Sequence, residues 1–237
     1  MRSKHRAIRR QRPRPLDDPT DLSGLLWWIK ADLGITENPT GHVQTWADQS
    51  GNGLDFTQGN VNRKPRLDRS TLNGTQVIDF DGTEYMTQGT ISNVAQPGHL
   101  FVVARVDDLT NNAPILGGVT APTLWQLGHV DRGMGDGPQW LISSPNDQED
   151  GVATTGWHVL HGYYSNSTTS EMTADWASVV GPLNCGSNDS TGWMLATKTA
   201  ASSIGDMAIA EAICVEGEMN DYEVVQVHRY LSTQWGV

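Results

Sequence analysis

The segment TWADQSGNGLDF, residues 45–56, places a tryptophan directly before a run of turn-forming residues. Asp48 is an Asx-turn former, and Gly51 and Gly53 tolerate the positive φ angles that tight turns require. Two interpretations are open: a polar binding loop, or a structural turn that fixes Trp46 in a β-sheet core. We favour the structural turn and expect Trp46 to be buried.

Apolar segments elsewhere in the chain have the lengths and patterns of β-strands. Residues 76–82 (QVIDFDG) alternate in polarity, as a half-buried strand does, and residues 99–108 (HLFVVARVDD) contain a continuous apolar run, typical of a central strand. Gly, Asn, Asp and Ser recur between such segments, as expected for many turns. A chain of 237 residues fits one large domain of this kind. The predicted fold class is all-β, with two packed antiparallel sheets.

The C-terminal segment has a helical pattern instead. Asn220 can cap the first turn of a helix while Glu223 returns a hydrogen bond to the cap, the arrangement known as a capping box. Apolar residues then follow at intervals of three or four, which is the spacing of one helix face. These residues are Val224, Val227, Leu231 and Trp235. We expect a short helix that packs on the sandwich.

Charge divides the chain into a basic arm and an acidic body. Residues 1–15 contain seven basic and no acidic residues, which leaves nine basic against 27 acidic residues in the rest, a net charge of −18. We therefore predict a basic arm that binds an acidic partner surface. The first strand-like segment begins at residue 22, so the arm and its linker span residues 1–21 and the folded domain spans residues 22–237. The arm residues assigned to this contact are Arg2, Lys4, Arg6, Arg9, Arg10, Arg12 and Arg14.

Several classes of protein are disfavoured by the sequence. No apolar run approaches 18 residues, so we expect no membrane span, and the charged N-terminal segment has no apolar stretch of the kind found in secretory signals. Cys185 and Cys214 lack metal-ligand spacing. We expect both to be reduced and packed in the interior, and a single disulfide between them is the alternative.

Five segments together resemble the concanavalin A-like, or laminin G-like, jelly rolls of bacteriophage virion proteins. The resemblance covers residues 22–237, and it implies a jelly roll of eight or more strands with a structural or sugar-binding role, while the fold alone does not define an activity. Members of this family often carry a short basic leader. The segments are LLWWIKADLGI (25–35), VQTWADQSGNGLDFTQ (43–58), NGTQVIDFDGTEYM (73–86), FVVARVD (101–107) and the C-terminal residues 205–237.

Catalytic motifs are not found in the sequence. Glycosidases of this superfamily carry a Glu-x-Asp-x-x-Glu strand whose carboxylates face one cleft, and no such strand occurs here. The nearest candidate pairs are Asp79 with Asp81, and Glu171 with Asp175. The first pair is better explained by a strand end with an Asp-Gly turn, so we predict that the protein is not an enzyme.

Metal and cofactor sites are likewise not indicated. The histidines lack metal-binding spacing; His158 and His161, for example, do not form a pair at strand spacing. Acidic loops make calcium conceivable, but no stretch has EF-hand order, so we expect a solvated acidic face and no cofactor. The acidic loop residues are Asp131, Asp136, Asp147, Glu149 and Asp150.

Sugar binding would use aromatic rings next to amides and carboxylates. The candidate aromatic residues are Trp125, Trp140, Tyr163 and Tyr164, and the candidate polar residues close to them in sequence are Asn146 and Asp147. Most aromatic residues of a sandwich lie in its core, which is the competing interpretation of each ring.

These observations predict a non-enzymatic phage virion protein on the exterior of the particle. It would be a capsid decoration or head-fibre component, attached by its arm to the major capsid protein or another virion protein and able to contact host glycans. A tail-associated receptor-binding protein is the alternative, and a secreted carbohydrate-binding module or glycosidase is disfavoured. The charge of the body disfavours nucleic acid as a partner.

Overall fold

The computed structural model describes residues 15–237 except 90, 92, 111, 120–124, 132–136, 167, 200 and 201. The arm residues Arg2 to Arg14 therefore lie outside the described part of the chain. Two antiparallel sheets form the body, and a single α-helix follows them among the described residues. The all-β sandwich with a short C-terminal helix, predicted from the sequence, is confirmed. No helix in the described residues has the length and apolar character needed to cross a membrane.

The strands, numbered in chain order, are β1 (Leu25–Lys30), β2 (Ile35–Glu37), β3 (Val43–Trp46), β4 (Phe56–Thr57), β5 (Arg66–Leu72), β6 (Thr75–Asp81), β7 (Met86–Thr87), β8 (Gly98–Val106), β9 (Pro114–Gly118), β10 (Gln126–Val130), β11 (Gln139–Ser143), β12 (Gln148–Val152), β13 (Trp157–Tyr164), β14 (Ser170–Ala174), β15 (Ala177–Leu183), β16 (Trp193–Leu195), β17 (Thr197–Thr199), β18 (Ser202–Ile204) and β19 (Asp206–Glu216). The helix α1 spans Asp221–Trp235, and short 3-10 helices occupy Pro19–Asp21 and Val61–Arg63.

One sheet has eight strands and the other has nine. The order in the first is β15-β14-β13-β8-β19-β6-β5, with β1 also paired to β19. The order in the second is β12-β11-β10-β9-β16-β7-β4-β3-β2, and β17 and β18 form a separate hairpin. The apolar run at residues 99–108 contributes most of β8, which lies between β13 and β19 as a central strand should. Both faces of such a strand are covered, which explains its continuous apolar character.

The space between the sheets is filled by aromatic side chains. Trp27 packs edge-on against Phe56 at 5.2 Å and against Trp193 at 5.7 Å between ring centroids. Trp125 stacks on Tyr164 at 4.6 Å, and all five rings are fully buried. Rings of this size supply much of the buried apolar area of the domain, and edge-on or offset contacts are their favoured geometry.

The turn at residues 47–55 is a structural element, as expected. Asp48 accepts hydrogen bonds at Oδ1 from the amides of Trp28 and Ser50, and at Oδ2 from the amide of Leu54. Gly51 and Gly53 both have positive φ angles, 90° and 71°. The preceding Trp46 is fully buried, and its indole N–H donates to a backbone carbonyl of β1. The Asp48 carboxylate is thus used to join β1 to the turn.

Helix α1 begins with the predicted capping box. The Asn220 side chain accepts from the Glu223 amide, the Glu223 carboxylate accepts from the Asn220 amide, and Gly236 ends the helix in the left-handed region. Val227, Leu231 and Trp235 are buried against the outer face of the eight-stranded sheet. The helix therefore forms a third layer on this sheet.

A buried carboxylate lies beneath the C-terminal end of the helix. Glu211 of β19 accepts hydrogen bonds from the indole of Trp28, at 2.7 Å, and from the indole of Trp235, at 2.6 Å. Burial raises the pKa of Glu211 to about 7, although hydrogen bonds from Trp235, Tyr230 and Trp28 and the charge of Lys30 act in the opposite direction. One side chain thus joins β1, β19 and α1.

Three buried imidazoles meet between the helix and the eight-stranded sheet: His99 of β8, His161 of β13 and His228 of α1. His99 Nε2 accepts from the Met219 amide, so Nδ1 carries the proton and donates to His161 Nε2 at 2.9 Å. His228 of α1 packs edge-on against His161. Burial lowers the pKa of His99 and of His228 to about 4, and that of His161 also well below its usual value. The three rings are neutral packing elements at pH 7.

Two further expectations concern cysteine and the start of the body. Cys185 and Cys214 are both free and buried, as predicted.

Leu16 and Leu22 pack against the core, with the first 3-10 helix between them. Part of the segment assigned to the linker, from Leu16 onwards, therefore contacts the body.

We predict that replacing Trp235 by alanine will lower the free energy of unfolding by about 3–5 kcal/mol, because the change removes a buried ring and an indole donor to Glu211. Gln234 is exposed on the same helix, so Gln234→Ala is the matched control and should have little effect. Thermal and urea unfolding of both variants measure the difference. Equal stabilities would mean that the helix contributes little to the folded state.

A second prediction concerns Glu211 and pH. Its folded-state pKa lies above the usual 4.5, so the protonated form stabilises the folded protein; this contribution is complete below about pH 4.5 and is lost as the pH rises through about 7. The stability of wild type relative to Glu211→Gln should therefore fall by an amount on the order of 3 kcal/mol between these limits. The buried histidines, present in both proteins, cancel in the comparison. Urea unfolding at several pH values measures it, and a pH-independent difference contradicts the prediction.

Candidate functional site

Three of the aromatic residues predicted to contact glycans are part of the interior. Trp125 and Tyr164 belong to the core between the sheets, and Trp140 is only 2% exposed. The polar groups of the first two are also satisfied internally, since Trp125 donates to the carbonyl of Asn188 and Tyr164 donates to that of Gln126. The prediction that these three rings form sugar platforms is therefore corrected, because all three are buried: Trp140 and Tyr164 lie on β11 and β13, and Trp125 directly precedes β10 with its ring stacked on Tyr164.

The other predicted glycan residues reach the surface but do not form one site. Tyr163 is half-buried on the outer face of the eight-stranded sheet, where its hydroxyl donates to Glu218. Asn146 and Asp147 are exposed in the connection between β11 and β12, on the other sheet. Asp147 lines a small cleft of about 130 Å³ whose walls include the amides of Asn112 and Gln126. The structure does not bring Tyr163 to this cleft.

The first candidate carboxylate pair, Asp79 with Asp81, lies around an arginine side chain. Arg69 makes a bidentate contact with Glu84, at 2.7 and 3.0 Å, and lies within 3.7 Å of Asp79 and 3.4 Å of Asp81. Asp81 also closes a turn through the Thr83 amide. These carboxylates surround one arginine and are not arranged as an acid and a nucleophile across a cleft.

Metal ligands do not cluster in the part of the chain that the structure describes. No group of three or more His, Cys, Asp or Glu side chains there has a geometry that could hold an ion. Among the acidic loop residues considered for calcium, Asp136 lies outside the described residues. His158 and His161 have different surroundings, since His161 is buried in the imidazole cluster and His158 lies near the surface.

The hairpin between β14 and β15 combines a strained turn with an exposed ring, which were not predicted from the sequence. Its two turn residues, Asp175 and Trp176, both have positive φ angles, 49° and 73°, although neither is glycine. Such backbone conformations cost of the order of 1–3 kcal/mol each and persist where surrounding contacts enforce them. Trp176 is 47% exposed, and its ring packs against His228 with 4.5 Å between centroids.

The Asp175 carboxylate connects the hairpin turn to β13 through hydrogen bonds. Its Oδ2 lies 2.6 Å from His158 Nδ1, and its Oδ1 accepts from the Val159 amide at 2.9 Å. His158 Nε2 lies 2.6 Å from Thr154 Oγ1. Burial would raise the pKa of Asp175, but the hydrogen bond from His158 and that from the amide leave it below its usual value. An aromatic platform and an ionised carboxylate thus occupy adjacent positions.

A signal for this site was present in the sequence. The Asp175–Trp176 pair interrupts the alternating apolar pattern of SEMTA and ASVVGPL, residues 170–183, as a two-residue hairpin turn does. From the sequence, Asp175 is paired only with Glu171. Glu171 belongs to β14 and lies opposite Tyr163 of β13 in the sheet. The contact between Asp175 and His158 was not predicted, because the two residues lie 17 positions apart in the chain.

No family model and no curated protein matches the sequence. Solved structures with similar folds include a Trypanosoma rangeli sialidase in complex with 2,3-difluorosialic acid, with a TM-score of 0.61 and 15% identity over 90% of this chain and 34% of that chain. This chain thus spans about a third of the sialidase. Domain 4 of the extracellular GH43 arabinanase AbnA from Geobacillus stearothermophilus, in complex with arabinotriose, has a TM-score of 0.55 and 14% identity over 77% and 92% of the two chains.

The binding domain of Paraclostridial Mosquitocidal Protein 1 is also similar, with a TM-score of 0.57 and 10% identity over 86% of this chain and 52% of that chain. Identities at this level establish a shared fold and leave activity open. The chain therefore shares its β-sandwich fold with the matched parts of these three structures.

Proposed function

We propose that this chain is a carbohydrate-binding β-sandwich whose ligand platform is Trp176 at the tip of the β14–β15 hairpin. The observation that carries the proposal is a half-exposed indole held in a left-handed backbone conformation. Residues held in strained backbone conformations cluster at active sites and ligand-binding sites, and here the strained residue also exposes a large ring.

The geometry of the tip suits a sugar ring. The Trp176 indole is supported by His228, so the ring is already ordered before a ligand binds, and less conformational entropy is lost on binding. The adjacent Asp175 carboxylate can accept hydrogen bonds from sugar hydroxyls with the capacity that His158 and Val159 leave free. A flat apolar surface next to a few fixed polar groups is the usual composition of a saccharide site.

Structures with the same fold give independent support. Two of them, the T. rangeli sialidase and domain 4 of AbnA, were determined with a saccharide or sialic acid derivative bound. A third is described as a binding domain. The match covers 92% of the AbnA domain but only 34% of the sialidase, so the AbnA domain with arabinotriose is the stronger support for sugar recognition by a sandwich of this type.

Binding without glycosidic cleavage is the form of the proposal that the carboxylates favour. Asp79, Asp81 and Glu84 are engaged by Arg69, and Glu171 lies on a strand apart from the Asp175 turn. Within the described residues, these groups do not provide the pair of opposed carboxylates that retaining and inverting glycosidases require.

We further propose that the sandwich is displayed on the exterior of a phage particle and attached by its basic arm. Three observations support this: the resemblance to virion jelly rolls, the seven basic residues of the arm and the −18 charge of the body. Pro15, where the described chain starts, lines a groove of about 800 Å³ along the outer face of α1.

The first prediction from this proposal is that Trp176→Asn will weaken saccharide binding about tenfold or more, as expected when a central aromatic contact is lost. Asparagine tolerates positive φ, so the turn should persist. Trp176→Phe should retain most of the affinity. A glycan array followed by calorimetry measures the effect, and Tyr222→Ala, which removes an exposed ring on α1, is the control. Unchanged affinity in Trp176→Asn would contradict this assignment.

The second prediction is that deletion of residues 1–15 will leave the sandwich folded but prevent its incorporation into particles, because the deletion removes seven of the sixteen basic residues. A second variant, in which glutamine replaces the seven basic residues, keeps the length of the arm and so tests whether its charge is required. Circular dichroism and quantification in purified head and tail fractions measure the two outcomes. Normal incorporation of both variants would show that the arm is not the anchor.

A further inference from the structure

Three side chains at the start of β13 form an ordered hydrogen-bonded line. Thr154 Oγ1 lies 2.6 Å from His158 Nε2, and His158 Nδ1 lies 2.6 Å from Asp175 Oδ2. The carboxylate can only accept, so in the neutral imidazole Nδ1 carries the proton and Nε2 accepts the hydrogen bond of the threonine hydroxyl. This is the order of contacts in a hydroxyl, imidazole and carboxylate triad.

We propose that this triad activates the Thr154 hydroxyl for acyl transfer, so that the protein hydrolyses small carboxylic esters. Thr154 is the nucleophile and His158 is the general base, and Asp175 is a positioning residue that fixes the imidazole tautomer. The chemistry stands independently of sugar binding. The assignment of acetyl esters on saccharide hydroxyls as the natural class rests on the proposed function, because Trp176 directly follows Asp175 in the hairpin turn.

The surroundings hold each member of the triad in place. Asp175 has its second oxygen fixed by the Val159 amide at 2.9 Å, and its backbone φ of 49° directs the side chain from the turn towards β13. The ring of Trp140 packs edge-on against His158, with 5.2 Å between centroids. Ordering the base through a third group and through packing is what allows a weakly nucleophilic hydroxyl to be activated.

The hydroxyl is also accessible. Thr154 is exposed, whereas the His158 side chain is only 15% exposed. A Cβ placed on Gly156 would lie 3.5 Å from His158 Nε2 and 3.9 Å from Thr154 Oγ1, so a longer side chain at this position would cover the reacting pair. Within the described residues the Gly156 amide donates no hydrogen bond, which leaves it available to an oxyanion.

The reaction balances without any additional reagent except water. Thr154 Oγ1 forms a bond to the carbonyl carbon while its proton passes to His158 Nε2. Collapse of the tetrahedral intermediate breaks the ester C–O bond, and the leaving alkoxide takes that proton and departs as the alcohol. Water then attacks the acyl-threonine with the same base, which releases the carboxylic acid and restores the hydroxyl.

The test uses the full-length protein with 4-nitrophenyl acetate as the probe. Thr154→Ala should reduce hydrolysis by about 10²-fold or more, to the level set by the remaining surface imidazoles, including His158 itself. Thr154→Ser should retain or exceed the wild-type rate because a primary hydroxyl is less hindered. Thr155→Ala, which removes the neighbouring exposed hydroxyl, should leave the rate unchanged. Equal rates for Thr154→Ala and wild type would overturn the proposal.

Two further measurements separate chemistry from a merely structural role. Acid quenching during turnover should trap an acetyl group on Thr154, detected by peptide mass spectrometry, and this readout remains decisive if Thr154→Ala fails to fold. Asp175→Asn should lower the rate about 10²-fold or more and change its pH profile, since the imidazole tautomer is no longer fixed. Detection of no acyl group on residue 154, as acyl-threonine in wild type or as acyl-serine in Thr154→Ser, would overturn the proposal.

The link to saccharides is tested separately with an O-acetylated polysaccharide. Trp176→Asn should raise KM for this polysaccharide severalfold more than KM for 4-nitrophenyl acetate, whereas Tyr222→Ala, an exposed ring on α1, should change neither value. If Trp176→Asn does not raise KM for the polysaccharide more than that for 4-nitrophenyl acetate, the saccharide assignment fails while the triad stands. If saccharides bind at Trp176 but neither ester is hydrolysed, the triad proposal fails while the proposed function stands.

Discussion

The buried Glu211 carboxylate is the contact on which the arrangement of layers depends. It accepts from the indoles of Trp28 and Trp235, and so it joins the first strand, the last strand and the C-terminal helix. Trp28 extends the connection, because its backbone amide donates to Asp48 in the turn at residues 47–55. Trp28 thus joins the turn, through its amide, to Glu211, through its indole. Glu211 in turn binds Trp235 of the helix, so segments far apart in sequence are connected. A carboxylate without these donors would be too costly to bury.

The packing of the sheets and the helix determines which surfaces remain accessible to a ligand. The inner faces of both sheets are filled by aromatic rings, and α1 covers part of the outer face of the eight-stranded sheet with its apolar stripe. Side chains that could meet a ligand are consequently found at hairpin tips and strand ends, where Trp176 and Thr154 lie. Sites at such positions combine a rigid scaffold with freedom to vary, as is common for binding and catalytic residues.

The parts of the fold that could be predicted are those set by local chemistry. The capping box at Asn220 and the buried Trp46 follow from residue types at fixed spacing. The direction of a ring on a strand does not, because a sheet buried on both faces gives no polar alternation to orient it. Tyr163 and Tyr164 illustrate this, since adjacent strand residues point to opposite faces, and only the first reaches solvent. Contacts between distant segments, such as His158 with Asp175, require the register of β13 and β14, which local patterns do not determine.

The strained hairpin connects the surface site to the core beneath the helix. Two non-glycine residues can remain in the left-handed region because each side chain is held on a different side of the hairpin: Asp175 by His158 and the Val159 amide, and Trp176 by His228. His228 in turn contacts His161, which is hydrogen bonded to His99 and through it to the start of α1. The position of the exposed indole therefore depends on the docking of the helix. A substitution that loosens α1 would disturb the platform without touching it, whereas a substitution at Thr154 would leave this chain of contacts intact.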